Sequence, residues 1–195
     1  FHIRSLSEGK VSSALGRDIR SGHRVKLTGP LGSAFLRRKH RGPIVLVASG
    51  TGFAPMWSIA AAAIMERQER ELTFIVAARE LRSLYSHSAL CRLARFPNVT
   101  IIPVVAEPQS DFPAIRAGRP TDHLPPLSPE TVVYTAGGPP LTKAAGATRP
   151  PPARPALPHP SVRPHARAAG ARCYADPFVP TTTPAEQAQA RWALR

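Results

Sequence analysis

The chain has 195 residues, 43% of them hydrophobic, which suits one ordinary domain or one domain with part of a second. Its 26 Lys+Arg against 12 Asp+Glu give a formal charge of +14, a balance that would suit nucleic acid, an anionic surface or an acidic partner. No apolar run approaches the ~18 residues of a membrane span, and no helix-turn-helix, zinc-finger or aromatic-glycine RNA motif accompanies the charge.

The excess charge is mostly arginine spread along the chain, so neither nucleic acid nor a membrane is the expected partner. Cys91 and Cys173 are far apart and form no C-x-x-C. They suggest no disulfide framework, fit a reducing cytoplasm, and are too few to ligate an iron–sulfur cluster. The opening FHIRSLSEGK lacks a signal-peptide pattern and a Met. It begins inside what reads as a strand, so upstream sequence is expected.

Residues 1–36 read as β structure. FHIRSL has a strand pattern, GKVSSALG a turn and a short helix, and in RVKLTGPLG Val25 and Leu27 alternate with polar neighbours. Gly29-Pro30 and Gly32 punctuate the end of that strand. RRKHRG at 37–42 reads as a basic hinge and a domain boundary.

From Pro43 the character changes. PIVLVASG is a short apolar run of the kind found in buried parallel strands. APMWSIAAAAIMERQ predicts a helix, LTFIVAAR a second buried strand, and SHSALCRLARF a helix with Leu90, Leu93 and Ala94 on one face. NVTIIPVV and TVVYTAGG predict two more strands. Strands alternating with helices imply an α/β fold, a doubly wound parallel sheet with helices on both faces.

The tract at 144–169, AAGATRPPPARPALPHPSVRPHARAA, breaks this alternation where another helix is due. Proline removes backbone donors and clashes in helix interiors, so an extended or disordered segment is expected. A genuine Pro-rich insertion and a stretch read in a shifted frame both fit the composition. AGARCYADPFVP then returns to ordinary sequence, and residues 181–195 read as a tail with a short helix from Thr183-Pro184.

Four segments carry chemistry. In VLVASGTGFAP at 45–55, Gly50 and Gly52 permit close backbone approach. The following helix start offers free amides to a phosphate, Thr51 a hydroxyl at the strand's carboxyl end, and Pro55 suits a first turn. The pattern is G-T-G-x-x-P, without a third glycine, and a plain strand–turn–helix junction explains it equally well. In FIVAARELRSLYS, Arg79 follows the second strand where a ribose is met in doubly wound folds. A basic group there suits a 2′-phosphate and an acid a free hydroxyl; Arg79 and Glu80 point both ways, and a solvated charge pair is the bland alternative. VVYTAGGPPLT closes a strand with Gly137-Gly138-Pro139-Pro140, a close-approach turn or a simple one. In HIRSLSEGKVSSAL, Arg4, Gly9 and Ser12 offer a guanidinium, a bare backbone and a hydroxyl to a phosphate, or form only a strand and its turn. The seven histidines show no metal-ligand spacing, and G-x-S-x-G is absent.

Taken in order, these segments resemble the ferredoxin–NADP reductase family, and more closely the reductase components of bacterial ring-hydroxylating dioxygenases. HIR…GKVS…GHRVKLTGPLGSAFLR resembles the end of a flavin-binding barrel, VLVASGTGFAPMWSI the nicotinamide-binding turn, and AAR…LY the adenosine-end segment. VVYTAGGPP resembles the C-G-P-P turn, and CYADPF the C-terminal stretch. The resemblance implies the remnant of an antiparallel β-barrel flavin-binding domain at 1–38 and an NAD(P)-binding domain at 42–180, interrupted by tract 144–169.

It further implies FAD and NAD(P)H as cofactors, and a ferredoxin or oxygenase component as electron acceptor. By position, Gly50, Thr51, Gly52 and Pro55 would hold the nicotinamide cofactor, with Thr51 nearest the reacting ring. Gly137, Gly138 and Pro139 would line the other side and Arg79 would meet the adenosine ribose. Arg4, Gly9, Val11 and Ser12 would face the flavin pyrophosphate, and Phe178 would cover the isoalloxazine. The implied mechanism is hydride transfer from NAD(P)H to flavin N5, then single electrons to the acceptor.

Four departures stand out. The family's Arg-x-Tyr-Ser flavin motif is absent, Ala136 replaces the cysteine of C-G-P-P, and Ala77 replaces a glycine, so that its methyl would crowd the dinucleotide. The Pro-rich tract stands in for the helix after Gly-Gly-Pro-Pro, leaving apolar sheet surface to be exposed. These departures leave two alternatives open: a catalytically dead nicotinamide-binding fragment, and a basic interaction module built on the Pro/Arg tract.

Overall fold

The structure is a computed structural model and describes residues 1–5, 9–107, 113–142 and 162–178. Two compact units divide the chain, one containing Phe1–Leu31 and the other Gly32–Val179.

The second unit is built on apolar runs. β1 (Ile44–Ser49), β2 (Leu72–Ala78), β3 (Val99–Val105), β4 (Arg116–Ala117), β5 (Val132–Gly137) and β6 (Arg172–Pro177) form one parallel sheet in the order β4-β3-β2-β1-β5-β6. β1 and β5 are buried on both faces, which is why they read as continuous apolar runs. In β1, alternate residues enter opposite layers. Ile44, Leu46 and Ala48 pack with α2 (Phe53–Glu66) and α3 (His87–Leu93). Val45 and Val47 pack with α4 (Pro139–Thr142) and α5 (Val162–Ala168), through Leu141, Val162 and Ala166. The doubly wound α/β fold expected from the alternation is therefore present, with helices on both faces.

Two expectations about helices change. α5 lies inside the tract expected to be extended. Pro164 is its third residue, in the first turn, where a missing N–H breaks no intrahelical bond. Val162 and Ala166, one helical turn apart, are both fully buried. The second face is thus covered where the sequence suggested bare sheet; residues 144–161 of the tract lie outside the described residues. In α3, Leu90 and Leu93 are buried as expected, but Ala94 is exposed because the helix ends before it.

The basic run 37–42 is docked in part. The Arg37 amide donates to the Tyr134 hydroxyl (2.9 Å). Its guanidinium lies 3.4 Å from the Phe35 ring centroid and 4.1 Å from that of Tyr174, a cation–π arrangement. Just upstream, the Asp176 carboxylate on β6 accepts the Ser33 amide (2.7 Å) and the Ala34 amide (3.0 Å). Gly32 (φ +98°) makes that approach possible, since a Cβ there would strike the carboxylate.

The first unit differs. α1 (Lys10–Ala14) forms where the sequence placed a short helix. Neither residues 1–5 nor residues 23–31 form a strand, contrary to the alternation read in FHIRSL and RVKLTGPLG. Val25 (60% exposed) and Leu27 (66%) bury no face. A strand requires a neighbour to take its backbone donors and acceptors, and the only isolated bridge in this unit among the described residues joins Leu15 and Ile19.

Candidate functional site

The sheet order reverses direction at β1. The chain leaves β1 toward α2 on one face and β5 toward α4 on the other. In open α/β sheets the crevice at such a switch point, beyond the strands' carboxyl ends, is where ligands bind. The two glycine turns singled out from sequence meet there.

After Ser49 the chain makes a tight 3-10 turn, Gly50–Gly52, directly into α2. Gly50 adopts φ +53°, which disfavours L side chains, and a Cβ there would meet nothing within 4 Å. Gly52 is the opposite case: a Cβ would overlap the Ala136 carbonyl, so the missing side chain lets the turn sit on the end of β5. Gly137 (φ +148°) completes the interlock, because a Cβ there would fall on the Ser49 hydroxyl. That hydroxyl accepts the Gly138 amide at 3.4 Å. Thr51 is half-buried in the turn, and Pro55 is half-buried in the first turn of α2. α2 begins with neither a side-chain cap nor an acidic residue, and its Phe53 amide turns back onto the Gly50 and Thr51 carbonyls.

On the other side, Pro139 starts α4, and the Gly138 carbonyl accepts the Leu141 amide (3.0 Å). The Phe178 amide donates to the Gly137 carbonyl (2.8 Å). Phe178, 41% exposed, therefore stands next to the Gly-Gly-Pro-Pro turn. Arg79 is exposed just past β2. Glu80 is ion-paired with Arg82, and among the described residues Arg79 makes no ion pair. Gly50, Thr51, Gly52, Pro55, Gly137, Gly138, Pro139 and Phe178 thus cluster at one switch point, with Arg79 at the end of β2 on the same edge.

Arg4, Gly9, Val11 and Ser12 belong to the first unit, where Arg4 is exposed, Gly9 precedes α1, and Val11 and Ser12 lie within it. Ala77 is 8% exposed and belongs to the core cluster of Val47, Ile75 and Val104. Ala136 is fully buried beneath α2.

Two residues of this edge were not assigned a role from sequence. One is Ser49, whose signal was its place immediately before the glycine turn. The other is Tyr85, whose hydroxyl donates to the Gly50 carbonyl (3.1 Å) and whose ring meets Phe53 edge-on (5.7 Å, 63°). Burial pushes the Tyr85 phenol pKa above its usual value. Phe53 is in turn stacked on Phe74 (5.6 Å), so the turn rests on an aromatic base.

A concavity of about 220 Å³, lined by Arg41, Arg67, Glu69, Arg70 and Glu71 among others, lies at the opposite, amino-terminal edge of the sheet. It holds none of these residues. There Arg70, 5% exposed, donates to the carbonyls of Gly42 and His40 and braces the entry to β1.

Glycine turns interlocked at the switch point of a doubly wound parallel sheet define a dinucleotide-binding α/β domain. A family model described as the oxidoreductase NAD-binding domain matches residues 46–146. The chain belongs to that family. It is 37% identical over 107 residues to the reductase component of a naphthalene 1,2-dioxygenase system from Pseudomonas putida, covering 54% of this chain and 33% of that protein. It is 34% identical over 148 residues to the reductase component of the naphthalene 1,2-dioxygenase/salicylate 5-hydroxylase systems of Ralstonia sp, covering 74% and 45%. Among solved structures it is similar to the Amycolatopsis cytochrome P450 reductase GcoB, with a TM-score of 0.62 and 30% identity over 70% of this chain and 43% of that one. The chain spans a third to just under half the length of these relatives. Among the described residues no helix is long and apolar enough to cross a membrane.

Proposed function

We propose that this chain is the NAD(P)H-binding part of a flavin-dependent oxidoreductase that reduces FAD and passes electrons to a ferredoxin or oxygenase component in the cytoplasm. The observation that carries this reading is the interlocked pair of turns, with Gly50 facing open space and Gly52 and Gly137 admitting no side chain. Gly50 fits a dinucleotide, which needs bare backbone beside its pyrophosphate, and Gly52 and Gly137 let the two turns that would flank it close on each other.

Gly50, Thr51, Gly52 and Pro55 form one wall of the site, and Gly137, Gly138 and Pro139 the other. Thr51 lies nearest the reacting ring, and Arg79 meets the adenosine ribose. Residues 1–38 are read as part of the flavin domain, 42–180 as the nicotinamide domain, and 181–195 as a tail. Arg4, Gly9, Val11, Ser12 and Phe178 are assigned to the flavin. When bound, NAD(P)H supplies a hydride and the flavin accepts it. The chain's own part is to hold and orient; no side chain is needed as acid or base.

Titrating the purified chain with NADH, followed by quenching of tryptophan fluorescence, tests the reading. Saturable binding is expected, and a wild-type chain that does not bind NADH overturns the reading. The absence of strands at 1–5 and 23–31 favours a second reading, nucleotide binding without turnover. Retention of FAD and NADH-driven reduction of an artificial acceptor exclude that second reading; a colourless, inactive protein that binds NADH supports it.

A further inference from the structure

We infer that Tyr85 is a positioning residue for the dinucleotide site: its hydroxyl, by holding the Gly50 carbonyl, fixes the direction in which the Gly50–Thr51 peptide presents its amide. The inference rests on reading the Gly50–Gly52 turn as the NAD(P)H site.

The Gly50 carbonyl receives two donors, the Phe53 amide from within the turn and the Tyr85 hydroxyl at 3.1 Å. A carbonyl oxygen has two lone pairs, so both are used. The peptide is planar and trans, so an oxygen turned toward these donors turns the Thr51 N–H the opposite way. That direction needs an external hold. Gly50 is at φ +53°, glycine restricts its own backbone least of all residues, and no atom stands within 4 Å of where its Cβ would be. No side chain at Gly50 packs to pin this peptide, and two hydrogen bonds hold its carbonyl.

The anchor behind the hydroxyl is firm. The Tyr85 ring meets Phe53 edge-on, and Phe53 is 2% exposed and stacked on Phe74. Tyr85 follows the 3-10 turn Leu81–Ser83 and precedes α3, in the same loop as Arg79 and the Glu80–Arg82 pair. One hydrogen bond thus ties the segment after β2 to the turn after β1. The two sides of the crevice that would face the adenosine and the pyrophosphate are held in one relation. The raised phenol pKa keeps the proton on the donor throughout the neutral range.

The test uses the full chain and Tyr85→Phe, which keeps the ring contact with Phe53 and removes only the donor. Calorimetric titrations with NADH, ADP-ribose and AMP separate the contributions. Ligands carrying the pyrophosphate, NADH and ADP-ribose, are expected to bind about fivefold more weakly, with AMP unchanged. In the ligand-free protein, the Gly50 and Thr51 amide resonances are expected to move while those of β5 stay in place. Where turnover is measurable, KM for NADH rises and kcat does not. Equal binding of NADH by wild type and Tyr85→Phe overturns the proposal and leaves the functional reading standing. So does an equal loss for AMP, which would make Tyr85 a direct adenosine contact. A wild-type chain that binds none of the three overturns both.

Discussion

Val25 and Leu27 in the first unit alternate with polar neighbours, Val45 and Val47 in the second lie in a continuous apolar run, and both stretches lead to a glycine-containing turn. Their fates differ: the first pair is 60% and 66% exposed, the second 2% and 0%. Val45 and Val47 lie between two strands, paired with Thr73 and Ile75 on one side and Val133 and Thr135 on the other. Val25 and Leu27 belong to no strand. Alternation therefore records what a segment is suited to, while neighbours decide whether it becomes a strand.

The sharpest way to break this comparison is to place a charge in each region. Val47→Asp is expected to lose more than ~4 kcal/mol, because it buries an unpaired carboxylate, and to abolish the cooperative thermal transition. Val25→Asp is expected to stay within ~0.5 kcal/mol of wild type. A comparable loss at Val25 would mean that the first unit buries this segment in solution.

Glycines extend the contrast. Gly137 and Gly22 both have positive φ, at +148° and +96°, but a Cβ would strike Ser49 at the first and nothing at the second. Gly137→Ala is expected to cost about 3 kcal/mol and weaken NADH binding, whereas Gly22→Ala costs about 1 kcal/mol from backbone preference alone. Urea titration of both variants checks this, and equal effects would argue against the interlock of the two turns.

Carboxylates give a smaller difference. Asp176 accepts two backbone amides, whereas Asp18 pairs with Arg17 with both side chains more than half exposed. Asp176→Asn is expected to cost about 1–2 kcal/mol and Asp18→Asn nothing measurable, again by urea titration.

The last effect, absent at neutral pH, concerns the thiols. Burial, opposed by Arg163, pushes the Cys173 thiol up to about 11 from 9.0. The folded chain keeps a proton that the unfolded chain sheds, so this group stabilises fully below pH 9 and loses its contribution as pH climbs to about 11. Cys173→Ala should flatten stability over that window. A thiol reagent at neutral pH should label exposed Cys91 faster than partly buried Cys173.

Much of the second unit was legible because burial on both faces leaves a plain signature. The runs IVLVAS, LTFIVAA and VVYTAG became β1, β2 and β5, with the glycine turns after β1 and β5 on one edge of the sheet. The short β4 was not legible, since two residues carry no period. Nor was α5 expected, because its proline was weighed as a breaker without regard to its place in the first turn.

The sequence by itself determined the class of fold and the location of ASGTGFAP and AGGPP at strand ends, because apolar runs and glycines are local signals. Only the tertiary structure decided that these turns interlock through Ser49 and Gly137, and that Gly52 sits on the Ala136 carbonyl. It also decided that Tyr85, 35 residues beyond Gly50, holds that residue's carbonyl. The physical reason is the same in each case. A local signal states what a backbone can do, and strand order states which distant atoms it meets.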